Sequence, residues 1–225
     1  MPVDVSMFLE RNASAPTPRL PGHGCFIRGA RRRGKTSFAF QAAVNTVQDG
    51  ARAVVLCQEH VLYSKMPQPF TPLTMLDEAA LRRIEFVYVE SLADVVREVG
   101  GWSTPHEAPA LVLVDDDSLT DAGDVRRTAQ VLSALENVHE WLTRIGQVFH
   151  YVLVSNSFAE RQQSVELPFA AFPLVNALFG SAGTVSLQPT QSEMTQMKPL
   201  RLEWRDGLVL QTDHPRCSYA ALPAE

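Results

Sequence analysis

Apolar positions along this chain gather into short runs, and turn-forming residues separate them. Cys25-Phe26-Ile27-Arg28, ending at Gly29, predicts a buried strand. No Gly or Pro interrupts Lys35 to Val47, where Phe38, Phe40, Ala43, Val44 and Val47 give the apolar positions of a helix closed by Asp49-Gly50. Ala53-Val54-Val55-Leu56-Cys57 predicts a second strand, continued by Gln58-Glu59-His60. Residues 63–75 contain Pro67, Pro69 and Pro72 and read as a loop, with a short helix over Leu76 to Arg83 after it. Ile84 to Val89 alternates and is rich in β-formers, which predicts a third strand. Ser91 is placed to cap a helix running through Val99. Leu111-Val112-Leu113-Val114 is apolar on both faces and predicts a central fourth strand. Val125, Ala129, Leu132, Leu135, Val138 and Leu142 step by three and four, the mark of an amphipathic helix over about 122–145. Val148 to Val154 predicts a fifth strand.

The last third of the chain changes in character. Val165 to Phe179 is apolar but interrupted by Pro168 and Pro173, and no element is assigned there. Gly183 to Leu187, Leu200 to Trp204 and Leu208 to Gln211 are short runs, the last two joined by an Arg205-Asp206-Gly207 turn. Strands that alternate with helices and then give way to hairpins specify an α/β fold: a mostly parallel sheet flanked by helices, with a C-terminal antiparallel hairpin. Residues 1–21, rich in Pro, Ser and Ala over 12–21, read as a flexible N-terminal lead-in, and residues 22–225 as one domain.

Charge narrows the functional classes. The 225 residues carry 20 Lys plus Arg against 25 Asp plus Glu, a formal net charge of -5. Coating nucleic acid by bulk charge is excluded, and any nucleic-acid surface must be a local patch. The 3 cysteines have neither metal-ligand spacing nor a disulfide framework, which fits a reducing compartment. No run approaches the roughly 20 apolar residues that span a bilayer, so no membrane role is expected.

One motif carries specific chemistry. Gly29-Ala30-Arg31-Arg32-Arg33-Gly34-Lys35-Thr36 fits G-x-x-x-x-G-K-[ST], follows a strand and opens a helix, the context of a phosphate-binding P-loop. Backbone N–H groups of such a loop and the helix N-terminus surround a β-phosphate. Lys35, expected exposed at the loop, reaches the β- and γ-phosphates; Thr36 offers a hydroxyl to Mg²⁺, and Ser37 follows it. ATP and Mg²⁺ are the implied ligands. Arg31, Arg32 and Arg33 fill positions where short side chains are usual; they either point into solvent or contact nucleotide or nucleic-acid phosphate.

Further carboxylates and amides sit where strands end. Leu111 to Val114 followed by Asp115 is a Walker B pattern, with Asp115 expected beside the P-loop strand to order the Mg²⁺ shell. Asp116 and Asp117 are expected to face solvent. Glu59, expected at a strand end beside the P-loop strand, either polarises an attacking water or merely caps the strand. Asn156, after Val152-Leu153-Val154-Ser155, either senses a γ-phosphate or starts a loop.

Together these features resemble the RecA-like recombinase ATPase core. The resemblance implies that Glu59 is the catalytic base, acting with Lys35, and that single-stranded DNA binds after the fifth strand, near Arg161 in the segment Ser157 to Ser164, with Arg33 a second candidate. The stretches Ser64-Lys65-Met66-Pro67, Leu81 to Tyr88 and His106-Glu107-Ala108-Pro109 further resemble the small ATPase that partners the SWIM zinc-finger protein in the metazoan Shu complex. That likeness implies a nuclear, DNA-stimulated ATPase. Its partners are a SWIM-domain zinc-finger protein and a RecA-type recombinase, and it promotes homologous recombination. A RecA-fold scaffold that acts only by binding proteins is the rival reading. A small-molecule kinase ranks third, because the 120–147 region reads as one helix rather than an arginine-bearing lid.

Overall fold

The computed structural model describes residues 2–9, 18–64, 66–158, 169, 171–180, 184–190, 199–204 and 208–210. The P-loop strand, β3 (Gly24–Gly29), lies inside a nine-stranded sheet, and a two-stranded sheet pairs β1 (Val3–Asp4) with β2 (Arg19–Leu20). Strands β4 (Ala53–Cys57), β5 (Ile84–Tyr88), β6 (Leu111–Asp115), β7 (His150–Ser155) and β8 (Leu174–Phe179) run parallel to β3. Antiparallel strands β9 (Thr184–Pro189), β10 (Leu200–Trp204) and β11 (Leu208–Leu210) extend the sheet beyond β8, giving the order β11-β10-β9-β8-β3-β7-β6-β4-β5. The turn expected at Arg205–Gly207 lies outside the described residues, though Trp204 pairs with Leu208 across it.

Period-2 alternation sorts each central strand between two cores. Cys25, Ile27, Val55, Leu111, Leu113, Val152 and Val154 face helix α1 (Lys35–Gln48). Phe26, Val54, Leu56, Val112, Val114, Tyr151 and Leu153 face the other side, where α4 (Leu92–Gly100) and α5 (Val125–Arg144) pack. Ser91 caps α4 by accepting from the Asp94 N–H, as its position predicts. Asp124 caps α5 in the same way, by accepting from Arg126 and Arg127.

Four placements differ from the sequence reading. First, the expected lead-in is partly core: Val3, Val5, Phe8 and Leu9 are buried, and Phe8 stacks on Phe38 at 4.6 Å. The buried Asn45 amide of α1 donates to the carbonyls of Ser6, Met7 and Leu9 at 3.3, 3.0 and 2.8 Å, which ties this segment down. Second, β4 stops at Cys57, and Glu59 opens a short helix, α2 (Glu59–Ser64), with α3 (Glu78–Leu81) following before β5. Third, the 174–179 run left unassigned is a strand, β8, paired with β3. Fourth, neither β4 nor β6 adjoins the P-loop strand: β7 separates β3 from β6, and β4 lies beyond β6. Among the described residues no helix is long and apolar enough to cross a membrane.

Candidate functional site

The P-loop is built where β3 meets α1. Gly29 has φ 142°, and a Cβ there would stand 2.8 Å from both the Cβ and the carbonyl oxygen of Phe179 on β8. Gly34 is the N-cap of α1 at φ 84° with no side-chain cap bond, so the first amides of α1 are left to a ligand. Arg32 is held in the left-handed region at φ 60°, an unusual place for a side-chain-bearing residue. Ala30, Arg31, Arg32 and Arg33 are all exposed, so the loop turns its arginines outward. Arg31 stands 3.7 Å from Asp117.

Lys35 is not exposed as expected. It is 4% accessible, and its Nζ donates to the carbonyls of Gly29 at 2.9 Å and Ala30 at 2.7 Å. Burial pulls the ammonium pKa down, while Asp115, Asp117 and Asp116 push it back up. These bonds hold the ammonium against the start of the loop.

Asp115 has the strand parity of Leu111 and Leu113, so its carboxylate points to the α1 side. The Thr36 hydroxyl donates to its Oδ2 at 2.7 Å, and the Asp117 N–H donates to its Oδ1 at 3.1 Å. Burial raises the Asp115 pKa, and these two bonds oppose the rise. A hydroxyl and a carboxylate from two elements that converge within hydrogen-bond reach suit Mg²⁺, a hard cation held by oxygen. Asp116 has the opposite parity and is not at the surface. It accepts from Ser155 Oγ and from the Asn156 N–H, and burial pushes its pKa up to about 7. Asp117 is half-buried rather than solvated.

Side chains the motif does not name complete the setting. Ser37 Oγ accepts from the Gln68 N–H at 3.0 Å, which pins the loop after α2 to α1. A pocket runs from Thr36, Asp115 and Asp117 to the apolar Phe40, Cys57 and Leu62. Cys25 and Cys57 are free and buried, and burial raises the Cys57 thiol to about 11. Glu59 is exposed in the first turn of α2 and does not line this pocket. Asn156 directly follows β7, between the strands that carry Lys35's loop and Asp115. Arg161 lies outside the described residues.

Neither a protein-family model nor a curated protein matches the chain. Among solved structures, a KaiC-like protein, PH0186, from the hyperthermophilic archaeon Pyrococcus horikoshii aligns with a TM-score of 0.56 and 13% identity, covering 94% of this chain and 100% of that one. A RadB recombinase aligns with a TM-score of 0.49 and 14% identity over 84% of this chain and 90% of that one. At such identities the likeness concerns the fold. The architecture is a RecA-like core with a mostly parallel sheet, flanking helices and an antiparallel C-terminal extension.

Proposed function

We propose that this chain is a P-loop ATPase that binds Mg²⁺·ATP at the junction of β3, α1 and β6. The observation that carries the reading is the 2.7 Å bond from Thr36 to Asp115, which joins the hydroxyl of the G-x-x-x-x-G-K-[ST] motif to the Walker B acid. Residues 29–37 would enclose the phosphates, with Lys35 balancing their charge. Thr36 and Asp115 would hold Mg²⁺, which when bound offsets negative charge on the phosphates. Asn156, directly after β7, would sense the terminal phosphate.

The finer reading is a DNA-stimulated ATPase that supports a RecA-type recombinase on single-stranded DNA, in the nucleus, as the partner of a SWIM-domain zinc-finger protein. The motif resemblance supports it, and so do the exposed arginines at 31–33. The rival, a catalytically weak RecA-fold scaffold acting only through protein binding, is favoured by one specific observation. Glu59, assigned by resemblance as the base, is exposed on α2 and makes no hydrogen bond to Lys35, Thr36 or Asp115 among the described residues. Co-purification scored for a zinc-binding partner, together with ATP hydrolysis measured with and without single-stranded DNA, tests both. Turnover stimulated by DNA supports the enzyme. Tight ATP binding with no turnover in the partner complex establishes the scaffold. Absence of nucleotide binding overturns the ATPase and leaves the protein-binding scaffold.

A further inference from the structure

The two carboxylates at the end of β6 divide between the faces of the sheet, and only Asp115 has a part in the site described above. Asp116 turns away from α1 and is 2% accessible. It accepts from Ser155 Oγ and, at 3.4 Å, from the Asn156 N–H, while its own N–H donates to Val154 O at 3.1 Å. Ser155 Oγ then accepts from the Ser157 N–H at 3.2 Å. One buried carboxylate thus gathers the last residue of β7 and the turn after it. Burying a carboxylate is costly unless its bonds repay the lost hydration, so a carboxylate here without a task is an expensive tie.

Position supplies the task. Strand β7 lies between β3 and β6, so its C-terminal end lies between the P-loop and Asp115. Ligands of open α/β sheets sit outside the carboxyl ends of the strands. Asn156, directly after β7, therefore lies on the side where a third phosphate would sit, and its backbone N–H is held by Asp116. We propose that Asp116 is a positioning residue: through Ser155 it fixes the end of β7, and with it Asn156, so that the site distinguishes ATP from ADP. This rests on the ATP-site reading above. Asp116 touches no phosphate itself and acts only through Ser155 and Asn156.

The test compares Mg²⁺·ATP and Mg²⁺·ADP affinities by calorimetry for the full chain and for Asp116→Ala, Asp116→Asn, Ser155→Ala and Ser155→Thr. Loss of a supporting contact behind a ligating group typically weakens function by about 10-fold or more. Asp116→Ala and Ser155→Ala are expected to lower ATP affinity by about 10-fold with ADP affinity held within about 2-fold, and the double variant to lose no more than either single one. Ser155→Thr retains the hydroxyl and keeps the wild-type ratio. Asp116→Asn keeps the shape and one acceptor, so it gives a partial loss and carries the test if Asp116→Ala does not fold. Equal weakening of both nucleotides, or an unchanged ATP-to-ADP ratio, overturns the proposal. A wild-type chain that binds neither nucleotide overturns the ATP-site reading instead. Amide hydrogen exchange at residues 156–158 then still judges the tie: faster exchange in Asp116→Ala supports it, and unchanged exchange overturns it.

Discussion

Lys35 does two things at once, and its substitution has to be read with both in view. Its ammonium caps the Gly29 and Ala30 carbonyls and supplies the charge inside the loop. Lys35→Ala is therefore expected to abolish detectable ATP binding, and also to lower the thermal midpoint slightly, because the Gly29 and Ala30 carbonyls lose their donor. Calorimetry and a melting scan read the two effects separately; wild-type ATP affinity in this variant would overturn the P-loop assignment. Asp115→Asn keeps the side-chain shape and the Thr36 contact but removes the charge. It is expected to reduce the Mg²⁺-dependent part of nucleotide affinity by about 10–100-fold, with metal-free binding little changed. Titrating Mg²⁺ at fixed nucleotide checks this. Arg32 is a different case. A left-handed conformation costs an L-residue about 1–2 kcal/mol, so Arg32→Gly is expected to raise the thermal midpoint unless that side chain binds phosphate in the complex. Lower nucleotide or DNA affinity in that variant would expose such a contact.

At the scale of elements, the close approach of β8 to the P-loop governs both folding and binding. The missing side chain at Gly29 lets Phe179 lie against the start of the loop. Gly29→Ala is expected to cost on the order of 2 kcal/mol in stability and to impair ATP binding together with it, checked by denaturant melts and calorimetry. At the opposite end of β3 and β7 a second polar cluster ties α5 to the sheet. His23 Nδ1 meets Glu136 at 2.8 Å, the Tyr151 hydroxyl also donates to Glu136, and His23 stacks on His139 with ring centroids 4.1 Å apart. His139 Nδ1 bonds the Phe149 carbonyl, and His150 Nδ1 is buried with no partner among the described residues. Burial lowers the pKa of His139 and of His150. For a base whose folded pKa is depressed, the unfolded chain takes up protons first, so stability is retained above the unfolded value near 6.5 and lost as pH falls below it. The histidine contribution to the thermal midpoint is expected to fall between pH 7 and pH 5, by about 2–4 °C for each kcal/mol lost in a chain of this size, against an opposite contribution from Asp115 and Asp116, whose buried carboxyls take up protons first in the folded chain. His150→Phe should flatten that fall; an unchanged pH profile would show that these histidines do not govern it.

For the whole molecule the question is whether an acidic chain can carry the proposed DNA surface. With a net charge of -5, affinity for single-stranded DNA has to come from a local patch and must decline steeply with salt. The exposed Arg31, Arg32 and Arg33, at the rim of the proposed ATP site, are the candidates for such a patch. Fluorescence anisotropy of labelled single strands against rising salt, with the isolated chain, is expected to show weak binding that shrinks in Arg33→Ala and Arg161→Ala and survives Lys35→Ala. Binding seen only in a complex would place the DNA surface on the partner.

Much of this molecule is written in local pattern. The P-loop context of strand then helix, the Walker B run and the α5 periodicity depend on residues close in the chain, whose physics needs no distant partner. Parity along β6 sets Asp115 and Asp116 on opposite faces, but Leu111–Val114 are apolar on both, so only the packing of α1 decides that Asp115 meets Thr36. Other features depended on long-range placement. Val3, Val5 and Phe8 lack a regular period, and their burial follows from packing on α1 and from the Asn45 bonds. β8 has Pro173 at its entrance and an apolar stretch before it, so its strand character emerges only from pairing with β3. Strand order is likewise tertiary: β7, late in the chain, enters between β3 and β6, which puts Asn156 between the P-loop and Asp115 and removes β4 and Glu59 from the P-loop strand's side. Lys35 reads as a surface charge in sequence because burial of a cation is decided by the carbonyls and carboxylates that fold around it, and those come from two segments far apart in the chain.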